Sequence, residues 1–178
     1  MPRLLQIAQL GHPVLRKQAD PINDFTDTSV RELTADMLAT LAEVGGLGLA
    51  SPQVYSPLRL FIIASQPTPN YPQAPKLEPF AVINPRILDR SEKTVLGWES
   101  CLSIPGLRGL VPRHRWVDVE YLAAGGKKVI ERIVGFPAII FQHEFDHLDG
   151  KVFIDRMKST LDLVTEKEFQ RLKNQLMR

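Results

Sequence analysis

His143-Glu144-Phe145-Asp146-His147 forms an H-E-x-x-H pattern between Pro137 and Gly150, and this stretch constrains the chain more than any other. Pro137 suits a first helical position and Gly150 a helix stop, which predicts one helix of about twelve residues between them. Side chains four apart stand one turn apart on the same helix face. Two imidazoles on such a support can reach one metal ion. Glu144 projects about 100° away from His143, beside the ion, where a general base for an activated water belongs.

The rest of the chain supplies elements to hold that helix. Ser29 with Glu32 reads as a capping box, and Val30, Leu33, Met37, Leu38, Leu41 and Val44 then follow at helical spacing until Gly45-Gly46. Gly46–Gln53 reads as a loop and Arg59–Ala64 as a buried strand. Residues 66–79 hold five of the fourteen prolines and read as a surface loop inserted in one domain, with no helix or strand of its own. Val95–Glu99 and Trp116–Leu122 read as strands. Gly125-Gly126 marks a hairpin turn, with Lys128–Val134 as the return strand. A terminal amphipathic helix is expected over about 160–178, carrying Leu161, Leu163, Val164, Phe169, Leu172 and Leu176.

Strands cluster in the middle of the chain, which argues α+β rather than alternating α/β. The expected fold is a single domain over residues 1–178, with antiparallel or mixed β-sheets packed around a central H-E-x-x-H helix and helices near both ends. Charged residues at 24% and apolar residues at 44% are ordinary globular values. One cysteine precludes an internal disulfide. The apolar runs Leu60–Ala64 and Ala138–Phe141 fall far short of the ~18–20 residues of a membrane span. Residues 1–7 carry no signal-peptide or transit character, so a cytoplasmic protein is expected. A net charge of +2 gives no ground for specific nucleic-acid binding.

A catalytic site of the zinc type usually has three protein ligands and one open position. The metzincin extension would need a histidine where Phe153 stands, so it fails. Glu166 and Glu168, 19 and 21 residues after His147, keep a thermolysin-like arrangement open on spacing. Cys101, at the end of a predicted strand, offers a thiolate suited to a borderline metal. The residues alone leave that choice open. His12 and His114 lack ligand spacing and are expected to be structural or surface residues.

Three motifs together resemble the peptide deformylase family: Gly46-Leu47-Gly48-Leu49-Ala50-Ser51-Pro52-Gln53, Glu99-Ser100-Cys101-Leu102-Ser103, and Gln142-His143-Glu144-Phe145-Asp146-His147. Their order and separations match, and Leu10-Gly11-His12-Pro13-Val14-Leu15-Arg16 is family-like as well. Ser51 and Ser100 depart from the commonest pattern, standing where Ala and Gly are usual. The resemblance implies removal of the formyl group from the N-terminal formylmethionine of new polypeptides, with release of formate. It implies one divalent metal on Cys101, His143 and His147, typically iron(II), with zinc, nickel or cobalt able to substitute. Glu144 is implied as the proton carrier, with the Gln53 amide and the Leu102 N–H as oxyanion donors. Gly46, Leu47 and Gly48 would pair with an extended peptide, Ser100 would border it, and Phe136, Ile139 and Ile140 would line the methionine pocket. Glu99 is implied as a buried ion-pair residue with Arg113 as partner, and Asp146 has no assigned role. N-formylmethionyl nascent peptides are the implied partners in a bacterial-type cytoplasm or an organellar matrix or stroma. The four basic and three acidic residues in Ser159–Arg178 read as a solvated face, with transient ribosome contact as the alternative.

Overall fold

A computed structural model of the chain describes residues 2–68 and 72–176. Helix α1 spans Thr28–Val44. Its N-cap is Asp27 rather than the expected Ser29: the Asp27 carboxylate accepts from the Ser29 N–H at 2.7 Å, which puts Ser29 inside the first turn. The helix ends at Gly45, whose φ of 63° is the left-handed conformation that closes a helix at little cost for glycine. Strand β1, Gly48–Ala50, and a 3-10 turn, Ser51–Val54, follow where the sequence reads as a loop. Three residues of strand with two glycines around them carry too little pattern to recognise.

β2 is Leu60–Ser65 and β3 is Leu77–Arg90. β3 begins inside the proline-rich stretch, so that loop ends at residue 76 rather than 79; residues 69–71 of the expected loop lie outside the described residues. β3 pairs with β2 up to Ile83 and with β6 from Ile83 onward. The change falls at Asn84-Pro85, where Asn84 has φ 49° and Pro85 has no N–H to give a ladder. The Asn84 amide meanwhile clamps both polar groups of Ile22, at 2.8 and 2.7 Å.

β4 (Thr94–Cys101) and β5 (Ile104–His114) form a hairpin, and β6 (Trp116–Leu122) and β7 (Lys128–Val134) a second. The β6 and β7 bounds and the β6 alternation match the sequence reading: Val117, Val119 and Tyr121 face inward. Helix α2 is Phe136–Leu148. In place of one helix over about 160–178, the chain makes a 3-10 turn at Thr160–Asp162, strand β8 at Leu163–Thr165 and helix α3 at Glu166–Leu176. β8 pairs with β5, so backbone hydrogen bonding to a strand edge overrides the amphipathic spacing there.

All named ladders are antiparallel, in sheets ordered β1-β2-β3-β6-β7 and β4-β5-β8. β2 is apolar throughout because both its faces are covered. Phe61 and Ile63 pack with Ala138, Ile140, Phe141 and Leu148 of α2, whereas Leu60 and Ile62 pack with Val30, Met37 and Leu41 of α1. The Phe61 and Phe141 rings meet edge to face with centroids 5.1 Å apart. Phe61→Ala is expected to cost about 3–5 kcal/mol, read as a lower urea midpoint with an unchanged m-value.

Candidate active site

α2 is a buried helix that carries polar residues on its inward faces. Gln142, Glu144, Asp146 and His147 are all buried along it. His147 and His143 stand one turn apart, with ring centroids 5.2 Å apart. The β4–β5 turn closes tightly, Cys101 opposite Ile104, and brings the thiol to the same place. Cys101 Sγ lies 3.3 Å from His147 Nε2, and one ligand atom each from Cys101, His143 and His147 lie within 4.8 Å of one another. Glu166 and Glu168 are not grouped with the two histidines as Cys101 is. The Glu166 carboxylate accepts from Arg108 at 2.5 Å and that of Glu168 from Arg171 at 2.6 Å.

The charges around the cluster suit a cation. Glu99 Oε2 holds His143 Nδ1 at 2.8 Å, which turns Nε2 inward. Arg113 donates to both Glu99 oxygens at 2.7 and 3.0 Å and to Asp146 at 2.6 Å, and Arg156 closes on Asp146 from the other side. Burial by itself would raise the Glu99 carboxyl, but the bonds from His143 and Arg113 outweigh it and hold the pKa at about 2. Arg113 is raised: burial opposes its charge, and Glu99 and Asp146 more than compensate. Burial pushes His147 well below the ordinary imidazole range, which leaves a neutral ring with a free lone pair. Burial also opposes charge on His143, yet Cys101 and Glu99 draw a proton to it. A divalent cation would answer the same negative field, so a Cys/His/His donor set with one soft and two borderline ligands fits a metal such as iron or zinc.

Glu144 sits beside the cluster, buried, with Oε2 unbonded among the described residues. Burial raises its carboxyl to about 7. Gly48 of β1 leaves room for it, since a Cβ there would stand 2.3 Å from Glu144 Oε1. Gln53 follows in the 3-10 turn. Its Oε1 accepts from the Ala50 N–H at 2.8 Å, and its Nε2 points to Cys101 Sγ at 3.4 Å and Ser103 Oγ at 3.2 Å. The N-terminal segment laces both loops together through Ala8 N–H to Gln53 O and Leu10 N–H to Ser103 O, each 2.8 Å.

A cavity of about 460 Å³ opens over the cluster. Gly46, Leu47, Gly48, Gln53, Ser100, Leu102, Phe136, Ile139 and Ile140, all singled out in the sequence, line it together with Cys101, His143 and Glu144. Sequence reasoning missed Thr68, Pro105, Leu107 and Arg108, which line it too; they carry no motif, and the β4–β5 fold-back places the last three, whereas Thr68 comes from the stretch after β2. Of the two unusual serines, Ser51 is buried and donates to the Ser56 carbonyl at 2.8 Å, so its hydroxyl is absorbed by the turn, and Ser100 is exposed at the cavity rim. Glu99 takes the ion-pair role expected of it. Asp146 is buried between two arginines. His12 accepts from the Val14 N–H, and His114 bonds the Ser91 carbonyl, so neither joins the cluster.

A buried H-E-x-x-H helix facing a thiol and an open cleft defines the class as a metal-dependent hydrolase. Comparison with known proteins narrows it. The polypeptide deformylase family matches residues 4–162. Peptide deformylase 2 of Nostoc sp. is 52% identical over 171 residues, 96% of each chain, and peptide deformylase 2 of Shewanella oneidensis 45% over 152 residues, 85% of this chain and 83% of that one. The class I type b peptide deformylase of Acinetobacter baumannii bound to Met-Ala-Ser superposes with a TM-score of 0.85 at 42% identity, covering 88% of this chain and 100% of that one. The Thermotoga maritima peptide deformylase gives 0.78 at 36% identity, covering 88% and 99%. The chain belongs to the peptide deformylase family. It is a hydrolase of protein biosynthesis that removes the N-terminal formyl group of nascent peptides, and its family depends on a metal. No described helix is long and apolar enough to cross a membrane.

Gly48→Ala should push Glu144 aside. Formate release is expected to fall about 100-fold, the scale of a misplacement near 1 Å, while bound metal and thermal midpoint stay near wild type.

Proposed function

We propose that Cys101, His143 and His147 hold one divalent ion, iron(II) in keeping with the family resemblance, with zinc, nickel or cobalt able to replace it. The observation that carries this reading is the convergence of the three ligand atoms within 4.8 Å beside a buried, unbonded Glu144 oxygen. When bound, the ion supplies a Lewis acid for water and for the formyl carbonyl. Glu144 takes the proton from the attacking water and later passes it to the departing amine, so water and the formamide become formate and a free N-terminus. A carboxyl raised by burial to about 7 is suited to both transfers near neutrality.

The Gln53 amide and the Leu102 N–H donate to the oxygen on which negative charge develops. Gln53 is preorganised for this, because its carbonyl end is already held by Ala50. Substrate main chain adds to Gly46-Leu47-Gly48, next to β1 at the end of the five-stranded order. Pairing of this kind gives affinity with little dependence on sequence, which an enzyme acting on every new chain requires. Phe136, Ile139 and Ile140 receive the methionine side chain, and Ser100 borders the reacting end. The full chain, residues 1–178, acts as one catalytic domain in a bacterial-type cytoplasm, with an organellar matrix or stroma as the alternative. Transient ribosome contact is assigned to the exposed face of α3.

Two measurements test the reading. Glu144→Gln is expected to lower formate release from a formyl-Met peptide by about 10²–10⁴-fold while keeping its metal. Elemental analysis should find metal lost from Cys101→Ala and kept in Glu166→Ala/Glu168→Ala; metal kept by Cys101→Ala would remove Cys101 from the ligand set.

A further inference from the structure

The far end of the cleft carries a charge pair that the chemistry does not use. Arg108 of β5 and Glu166, the first residue of α3, both line the cavity that holds Cys101 and Glu144. Arg108 stands next to Gly109, which pairs with Glu99, two residues before Cys101. It is therefore within reach of the first few residues of an extended peptide at about 3.3 Å per residue. Arg108 Nε donates to Glu166 Oε2 at 2.5 Å, and its guanidinium lies 4.6 Å from the centre of the Phe169 ring. Its side chain is only 11% exposed, so the cation is fixed in place, while Glu166 at 41% faces the opening. Glu166 Oε1 is held in turn by Gln170 at 2.6 Å. No acceptor among the described residues bonds the terminal nitrogens of Arg108.

The chain has an evident device for delivering Glu166. β8 pairs with β5 at Leu107, Arg108 and Gly109, and α3 starts at the next residue after Thr165. A short strand hooked onto the cleft wall thus sets the counter-charge beside Arg108. Without it, a fixed guanidinium in a half-enclosed cleft would attract carboxylates and rank nascent chains by sequence.

We propose that Glu166 is a specificity-determining residue, which neutralises Arg108 so that the cleft does not select for peptides bearing a carboxylate two or three residues after the methionine. The inference rests on the cleft being the peptide site. It concerns binding, so it can be measured apart from turnover. The peptides are Met-Ala-Asp-amide and Met-Ala-Asn-amide, which differ by one charge, and their formylated forms.

In Glu166→Gln, whose amide oxygen can still accept from Arg108, the Kd ratio is expected to shift about fivefold toward the Asp peptide, the upper range for a partly exposed ion pair. The shift should shrink with added salt and appear in KM rather than kcat for the formylated pair. Arg108→Gln should shift the ratio the other way, because Glu166 then stands alone. The double variant should return to the wild-type ratio. Unshifted ratios in both single variants, measured by calorimetry on metal-loaded protein, would overturn the proposal. Wild-type protein that binds both peptides but releases no formate would instead count against the catalytic reading and leave the charge ratio intact as evidence.

Discussion

The Glu99–Arg113–Asp146 chain of buried charges is the interaction on which the site hangs. It joins β4, β5 and α2, and Arg156 extends it to the turn after α2. Neither Glu99 nor Arg113 is more than 5% exposed, so each charge would be costly without the other. The chain is therefore weak evidence of stability for its own sake, since apolar residues of similar volume often do as well. Its consequence is geometric. With Glu99 fixed by two bonds from Arg113, its second oxygen fixes His143 Nδ1, and the ring presents Nε2 to Cys101 and His147. Loss of Arg113 would leave the buried Glu99 carboxylate with the His143 imidazole as its one partner, and the His143 ring would lose its reference point.

The same helix must also be held from its other sides, and the five-stranded sheet does that. β2 divides its side chains between α2 and α1, so the H-E-x-x-H helix and the helix after the N-terminal segment are tied to one strand. β1 then runs between them and passes Glu144 at Gly48. Polar residues along α2 are tolerated because each has a partner: Gln142 spans His114 and Ala138, Asp146 takes two arginines, and His147 meets the thiol. The exceptions along α2 among the described residues are His147 Nδ1 and, deeper in its consequence, Glu144 Oε2. A deep carboxylate oxygen without a partner is expensive, and in the proposed reaction it takes up the proton of the attacking water.

Local chemistry decided what could be read from the sequence. α2 was legible because Pro137, the i, i+4 histidines and Gly150 all lie within one helix. The β6–β7 hairpin was legible because its alternation is clean. β3 and β5 were not. Pro79, Pro85 and the Asp89-Arg90 end break the pattern of β3, and Pro105, Gly106, Gly109 and Pro112 that of β5, although each proline sits at a bend, an edge or a change of partner. β8 was hidden because Leu163 and Val164 fit a helical stripe equally well; what makes them strand is the free edge of β5, which no local window contains. In the same way Ser29 looked like a cap, and Asp27 two residues earlier took the position.

The placement of Cys101 rather than Glu166 beside the two histidines shows how topology decides where residue chemistry does not. Glu166 lies a suitable number of residues beyond His147, and a carboxylate is an acceptable ligand. It stands elsewhere, because β8 commits the chain to the outer edge of β5 and α3 begins there, at the mouth of the cleft and beside a fixed guanidinium. Cys101 can serve because the β4–β5 turn folds back within three residues and drives the thiol into the core next to His147. Its sulfur accepts from the Gln53 amide and the Ser103 N–H, both at 3.4 Å. The lone cysteine is thus held in place by the same loop residue, Gln53, whose amide also lines the cleft, so the thiol and its donor depend on one 3-10 turn packed under the N-terminal segment.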